Sequence, residues 1–174
     1  PAEELVKNLS HPDQRVRMKS QFALVDQKRD DLLLTVATNP ELPQLARIHA
    51  IWGLGQNLRR NCKIWGKGFY ALYQDPDYEI RAQAARVAGD SGYSGLIDGS
   101  ALLPLLSDSS DRPRFFAALA LGQLRHRSAF DKIVTYLQSN GSAPYHRHAG
   151  VMGLVGCSNA NEWAGLSRHS SSIG

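Results

Sequence analysis

The chain has 174 residues, of which 43% are hydrophobic and 21% charged. It therefore has enough apolar material to bury a core without disulfides or metals, and the composition excludes intrinsic disorder. Twenty Lys and Arg residues against sixteen Asp and Glu residues leave a formal net charge of +4, which permits an anionic partner without requiring one. The longest nearly uncharged apolar stretch, residues 150–157, is far shorter than the roughly 18–20 residues that span a bilayer, so we expect no membrane insertion.

Five related segments follow one another along the chain, and each has an arginine at the same place in an amphipathic pattern. Successive arginines lie 30, 34, 33 and 33 residues apart: Arg17, Arg47, Arg81, Arg114 and Arg147. A small residue three positions later and an apolar residue seven positions later place one buried stripe on each helix. A period this regular predicts a repeat architecture.

A second amphipathic run precedes each arginine helix, so the sequence predicts two helices per repeat. These runs are 5–9, 32–37, 69–73, 102–106 and 133–137. Turn clusters such as Asp75-Pro76-Asp77 separate the two helices of a pair. No segment alternates apolar and polar residues over the length of a strand. The predicted fold class is therefore all-α: a right-handed α-α superhelix, or solenoid, of about five helix pairs.

The pattern predicts a single repeat domain over residues 1–174 that ends in a truncated sixth repeat. The five complete repeats and the partial one are expected at about 2–28, 29–60, 62–92, 98–126, 128–157 and 159–174. Trp163 and Leu166 of the partial repeat have no second helix to cover them. We therefore expect the chain to be a piece excised from a longer multidomain protein.

Segment 75–89, an Asp-Pro-Asp turn followed by an arginine and a helix of small residues, resembles a HEAT repeat, and the other segments carry weaker forms. The resemblance implies an armadillo-like solenoid with a hydrogen-bonded ladder between repeats, formed by each arginine and an Asp six residues before it. Asp75 precedes Arg81 and Asp108 precedes Arg114 at this spacing. The other three repeats have His11, Glu41 and Gly141 there. We expect the ladder to be broken or rebuilt in those repeats.

The runs 9–17 and 44–55 are similar to the HEAT segment of large exported bacterial proteins, which are membrane-bound dehydrogenases or haem-binding proteins. In that family a sorbosone-dehydrogenase-like β-propeller comes first and a c-type cytochrome module with Cys-x-x-Cys-His comes last. The resemblance implies that this chain is the middle of such a redox protein, in the periplasm or outside the cell. The chain itself has no Cys-x-x-Cys-His motif, so we expect no cofactor in it.

A basic cluster, Arg59, Arg60, Lys63 and Lys67, surrounds Trp65 after the second repeat. Cations next to an aromatic side chain can bind a nucleic-acid backbone and stack on a base. A helix C-terminus followed by a solvated loop has the same composition. The five repeat arginines also have two interpretations. On a concave face they would bind phosphates or carboxylates. Because they recur in register along the stack, a structural role between helices is favoured.

Two smaller features have structural interpretations. His49 lies beside Trp52 on an arginine helix, which predicts a buried, hydrogen-bonded imidazole. Glycines recur eight residues after three of the arginines, at Gly55, Gly89 and Gly122. Such glycines are helix C-caps or points of close helix contact, and we favour the caps.

No motif in the chain carries recognisable chemistry. There is no Ser in a Gly-x-Ser-x-Gly setting and no phosphate-binding glycine loop. His146 and His148 are two residues apart, so on a helix they point away from each other, and we expect no metal site. The sequence therefore predicts a non-enzymatic scaffold or spacer that contacts flanking domains or another protein, with nucleic-acid binding as the alternative.

Overall fold

A computed structural model describes residues 1–61, 67–92 and 97–158, and in these ranges it contains helices and no strand. The α-helices are α1 (Ala2–Asn8), α2 (Gln14–Asp26), α3 (Asp30–Thr38), α4 (Gln44–Asn61), α5 (Lys67–Tyr70), α6 (Tyr78–Asp90), α7 (Asp111–Gln123), α8 (Phe130–Asn140) and α9 (Pro144–Cys157). Three 3₁₀ helices complete the described ranges: Ala71–Gln74, Gly99–Ser107 and Arg127–Ala129. The all-α prediction is confirmed, whereas the predicted partial repeat at 159–174 lies outside the described residues.

The helices alternate between two layers. The second helices of the pairs, α2, α4, α6, α7 and α9, contact one another in order and form what we call the second-helix layer. The first-helix layer consists of α1, α3, α5 with the 3₁₀ helix that follows it, the 3₁₀ helix 99–107, and α8. The core lies between the layers, where the residues seven positions after each arginine are all buried: Leu24, Leu54, Ala88, Leu121 and Leu154.

Two members of the first-helix layer differ from the α-helices that the sequence predicts. The described part of α5, Lys67–Tyr70, continues as the 3₁₀ helix 71–74, and segment 99–107 is 3₁₀ throughout. Pro104 lies inside that segment and has no N–H to donate to a carbonyl one turn earlier. Leu102 and Leu105 are nevertheless buried, so the segment keeps the packing role of a first helix.

The prediction that the recurring glycines cap helices is wrong. Gly55, Gly89 and Gly122 lie inside α4, α6 and α7. A Cβ on Gly122 would lie 2.7 Å from the carbonyl oxygen of Met152 and 2.8 Å from the Cα of Gly153, both in α9. Backbone approaches this close exclude a side chain, so these glycines allow neighbouring second helices to pack tightly.

Two helix ends that need a left-handed residue use a long side chain instead of glycine. Lys28 after α2 has φ 55° and Arg125 after α7 has φ 53°. The residue after Arg125, His126, donates its N–H to Leu121 O at 3.0 Å, which closes the helix end. Both left-handed side chains are exposed.

We expect Arg125→Gly to stabilise the protein by up to about 1 kcal/mol, because glycine adopts positive φ without the clash of a Cβ. Thermal unfolding should then show a Tm higher by roughly 2–4 °C. Arg127→Gly is the control, since Arg127 is exposed and its φ is not positive, and it should not raise the Tm. A lower Tm for Arg125→Gly would contradict the capping role.

Candidate functional site

The repeat arginines lie beside the turns within the helix pairs, and two of them bind a carboxylate of the next repeat. Arg81 donates from Nε to Asp108 Oδ2 at 2.6 Å and from Nη2 to Oδ1 at 2.7 Å. Arg47 pairs with Asp75 through both terminal nitrogens, with Nη1 at 3.3 Å from Oδ1. The side chains of Arg81 and Asp108 are 13% and 7% exposed. These bidentate pairs join the second repeat to the third and the third to the fourth.

Within a repeat the arginine binds a backbone carbonyl instead of the Asp side chain. The acceptor is the carbonyl oxygen six residues before the arginine, as in the pairs Arg17–His11 (2.7 Å), Arg81–Asp75 (2.7 Å), Arg114–Asp108 (2.7 Å) and Arg147–Gly141 (2.9 Å). Because any residue supplies a carbonyl, His11 and Gly141 serve as well as Asp at this place. Arg47 differs and donates to Ala37 O at 3.0 Å.

The electrostatics of the Arg81–Asp108 pair keep both groups charged. Burial raises the pKa of the Asp108 carboxyl, but the hydrogen bonds from Arg81 and from the Ser110 N–H outweigh it and leave this pKa below its usual value. The Asp108 carboxylate in turn raises the pKa of Arg81. The pair therefore stays ionised across the physiological range.

Arg17 of the first repeat binds a histidine of the second repeat, whereas Arg47 and Arg81 bind a carboxylate of the repeat that follows. His49 is buried, its Nδ1 lies 2.8 Å from Gln21 Oε1, and Arg17 Nε donates to its Nε2 at 3.1 Å. This arrangement makes Nε2 the acceptor and Nδ1–H the donor. Burial, and then the charge of Arg17, lower the pKa of His49. The prediction of a buried, hydrogen-bonded imidazole is confirmed, and the ring also packs edge-on against Trp52.

The fourth and fifth repeats meet in a polar cluster that the sequence did not indicate. Asp111 accepts a hydrogen bond from Tyr145 OH at 2.9 Å and pairs with Nη2 of Arg114. His146 is buried, with Nε2 3.4 Å from Asp111 Oδ1 and Nδ1 within hydrogen-bond distance of Tyr136 OH. The hydrogen bond from Tyr145, and then the nearby His146 ring, lower the pKa of Asp111. The hydrogen-bonded ladder between repeats is thus rebuilt here around Asp111.

The basic cluster predicted from the sequence is only partly within the described residues. Arg60 pairs with Asp26 at 2.8 Å, and both side chains are exposed. Arg59 faces a groove between α4 and α6, near Asp90. Lys63 and the side chain of Lys67 lie outside the described part of the chain. The two described arginines therefore have separate surroundings.

A groove of about 380 Å³ crosses α2, α4 and α6 on the outer face of the second-helix layer. Met18, Phe22 and Trp52 form its apolar wall, and Arg59 and Arg86 lie at its rim. We call it the second-helix groove. Trp52 is held in place by a hydrogen bond from Nε1 to Gln83 Oε1 at 2.8 Å.

The groove also contains a buried acceptor without a donor. Gln56 Oε1 is shielded from solvent and has no hydrogen-bond partner in the described structure. A buried, unsatisfied carbonyl lowers the stability of the folded chain. The groove therefore combines an apolar wall, a cationic rim and an unsatisfied acceptor.

Exposed apolar side chains are confined to one layer. Among the described residues, every large apolar side chain that is exposed belongs to a second helix: Met18, Phe22, Leu45, Tyr78, Tyr145, Val151, Met152 and Val155. A sequence signal for this face exists in the residues five positions after the arginines: Phe22, Trp52, Arg86, Leu119 and Met152. The repeat pattern predicted the buried stripe of each second helix, but it did not indicate this second stripe on the outer face.

The described residues contain no group of three or more His, Cys, Asp or Glu side chains that could hold a metal ion. His146 is buried whereas His148 is exposed, so the two rings have different surroundings. In the described ranges no helix has both the length and the apolar character that crossing a membrane requires.

No protein-family model matches the chain, and no curated protein matches it. Its fold is similar to that in the structure of the complex of CpcE and CpcF of phycocyanin lyase from Nostoc sp. PCC7120. The TM-score is 0.65 at 17% sequence identity, over 95% of this chain and 68% of that chain. The chain has a helical-repeat solenoid fold. At this identity the likeness shows the fold alone.

The comparison corrects the prediction that this chain is not an enzyme. That prediction was based on the lack of a catalytic motif in a repeat protein, and the structure with the same fold is that of a lyase. A helical-repeat fold without such a motif is therefore no ground for excluding an enzyme. The narrower resemblance to exported dehydrogenases and haem-binding proteins receives no support from the comparisons.

Proposed function

We propose that the chain is a protein-binding helical-repeat subunit and that a second protein docks on the outer face of its second-helix layer. The observation that carries the proposal is the confinement of the exposed large apolar side chains of the described residues to this layer. Apolar surface gathered on one face is typical of interaction sites, whereas isolated exposed residues are common everywhere. Helical repeats present such extended faces without a deep core of their own.

The chemistry of the second-helix groove specifies the kind of partner surface. Phe22 and Trp52 call for an apolar side chain, and Arg59 and Arg86 at the rim call for carboxylates beside it. Arg59 forms no ion pair with another described residue, whereas Arg86 pairs with Asp90 at 3.5 Å and lies 5.9 Å from the centre of the Phe116 ring. We therefore expect the partner to present an apolar side chain flanked by Asp or Glu.

The similar fold in a complex of CpcE and CpcF supports a role within a complex of different chains. The partner of this chain is accordingly proposed to be another protein or a flanking domain, and any activity is best assayed on the complex. Membership of a larger exported redox protein stays a prediction. The intact mass of the native protein and its absorption spectrum would test it, because covalent c-type haem is visible.

We expect Phe22→Glu to weaken partner binding at least tenfold, because it places a charge in the apolar wall of the groove. The partner can be captured by a photo-crosslinking amino acid at position 22 in the source cells and identified by mass spectrometry. The affinity of the purified pair is then measured by calorimetry. Thr35→Glu on α3, an exposed site in the first-helix layer, is the matched control and should stay within about twofold. A larger loss of partner affinity in Thr35→Glu than in Phe22→Glu would overturn the proposal.

The nucleic-acid alternative predicts a different result in a simple titration. Binding that depends on Arg59, Arg60, Lys63 and Lys67 should weaken steeply with salt, because each neutralised phosphate releases counterions. The exposed Arg60–Asp26 pair already compensates one of these cations. Salt-sensitive binding to duplex DNA that is lost in Arg59→Gln but not in Phe22→Glu would favour nucleic acid over a protein partner.

A further inference from the structure

Successive second helices pack on one another in the same register. Eight positions after the repeat arginine of α4, Gly55 faces α6, and its Cβ would lie 2.7 Å from Val87 Cγ1. Gly122 has the same place in α7 and faces α9, where its Cβ would lie 2.8 Å from the Cα of Gly153. Four positions after the arginine of α7, the carbonyl oxygen of Ala118 also approaches Gly153. The residues four and eight positions after each arginine therefore face the second helix of the next repeat.

The last second helix of the described chain, α9, exposes the residues at both of these positions. In the four second helices that precede it, the residues at these positions are all buried: Gln21, Val25, Ile51, Gly55, Ala85, Gly89, Ala118 and Gly122. In α9 they are Val151 and Val155, which are 45% and 55% exposed. Within the described ranges no helix follows α9 in this layer. The two valines form an apolar end of the stack, which we call the α9 end face, and such an end needs a neighbour to cover it.

A second copy of the chain does not complement the α9 end face. The residue two positions after the arginine faces the preceding repeat, since His49 contacts Gln21 and Gln83 accepts from Trp52, each at 2.8 Å. In α2 this residue is Lys19, which is exposed. A copy stacked head to tail would bury the Lys19 ammonium against α9, which is costly. Two α9 end faces in contact would place valine on valine, whereas every junction within the chain has a glycine on one side.

The junction between α2 and α4 shows which kind of helix a valine at this place accepts. Like α9, α2 has a valine eight positions after its arginine, and Val25 is buried. The helix that covers it, α4, presents Gly53 to α2, with the Cβ position 3.5 Å from Gln21 Cγ. Gly53 lies six positions after its arginine, as does Gly153, which faces the preceding helix in the same way. A helix that covers Val155 is therefore expected to present a glycine at the contact.

We infer that the α9 end face docks an α-helix of a partner protein, which packs on α9 as α4 packs on α2 and places a glycine opposite Val155. The docked helix extends the second-helix layer by one member and buries Val151 and Val155. The inference rests on continuity with the four junctions within the chain, where the same positions are covered by a helix. The α9 end face is separate from the second-helix groove, which α2, α4 and α6 form.

The test is an NMR titration of the full chain, with labelled methyl groups, by a helix-stapled peptide that copies residues 44–58. The methyl signals of Val151 and Val155 should shift saturably. The same peptide with Gly53→Leu should bind at least about tenfold more weakly, although leucine is the better helix former. Val155→Asp in the chain should also weaken binding at least about tenfold, because it places a charge in an apolar contact. Gln138→Asp on α8, exposed and in the other layer, is the matched control and should stay within about twofold.

Several results would contradict the inference. They are the lack of a saturable shift at the two valines, equal affinities of the two peptides, and equal effects of the two Asp variants. Protection of Val155 from hydroxyl radicals in the free chain, or a dimer that Val155→Asp abolishes, would assign the face to the chain itself and would also refute the inference. The peptides and variants leave the second-helix groove intact, so these results are independent of the proposed function.

Discussion

Asp108→Asn is expected to lower the free energy of unfolding by about 3 kcal/mol, the lower end of the cost of leaving one member of a buried ion pair without its partner. The amide has nearly the shape of the carboxylate, and its oxygen still accepts the Ser110 N–H that Asp108 binds at 2.8 Å. What is lost is the negative charge opposite Arg81, whose side chain is only 13% exposed. Thermal unfolding should show a Tm lower by roughly 6–12 °C.

Asp26→Asn provides the control for this prediction. Asp26 pairs with Arg60 on the surface, where both side chains are more than half exposed, and such pairs contribute about 0–1 kcal/mol. A loss in Asp108→Asn no larger than in Asp26→Asn would show that the ladder pair does not stabilise the stack.

The contribution of Asp108 also has a defined pH dependence. Its pKa in the folded protein is lowered, so the stabilisation is present above the pKa of an unfolded Asp, about 3.9, and is lost as the pH falls through the folded value. The difference in unfolding free energy between the wild type and Asp108→Asn should therefore be largest near neutral pH and shrink below about pH 4. Urea unfolding at a series of pH values measures this difference.

Gly122→Ala is expected to destabilise the protein by about 1–3 kcal/mol, although alanine is the better helix former. The new Cβ would lie 2.7 Å from Met152 O and 2.8 Å from the Cα of Gly153. Both atoms belong to the backbone of α9, so relief of the clash requires α7 and α9 to move apart. Chemical denaturation of the variant measures the loss.

Gly53→Ala is the matched substitution with the opposite expectation. Gly53 is also inside a second helix, but its Cβ would meet only the methyl ends of Leu33, at 3.1 Å, and the side chain of Gln21. These side chains can adjust by a few tenths of an ångström, so the gain in helix propensity should leave stability unchanged or slightly higher. Equal losses in the two variants would contradict the close backbone approach at Gly122.

The layer architecture could be predicted from the sequence because it follows from local geometry. Positions three and seven residues after each arginine lie on one helical face, and the structure buries residues such as Leu24, Leu54 and Leu121 there. The recurring glycines were misinterpreted because a helix C-cap and a close contact between helices both favour glycine, so the residue type alone does not distinguish them. Only the neighbouring helix distinguishes them, and at Gly122 that neighbour is α9.

The candidate sites were less accessible to sequence reasoning because each joins residues that lie far apart in the chain. Phe22, Trp52 and Arg86 come from three repeats and meet only when α2, α4 and α6 stack. The bidentate pair Arg81–Asp108 spans two repeats, whereas the carbonyl bond to Asp75 is independent of residue type. The helical periodicity within one repeat therefore indicates neither the residues of the groove nor the ion pair.

The most direct test of the proposed protein-binding face is hydroxyl-radical footprinting of the chain, alone and in complex with its purified partner. Met18 and Phe22 are about 40% exposed and oxidise readily in the free chain. The proposal predicts that the partner protects these side chains while the first-helix layer, represented by Leu34 and Leu103, keeps its reactivity. Protection of Leu34 and Leu103 with Met18 and Phe22 unchanged would place the partner on the opposite face and contradict the proposal.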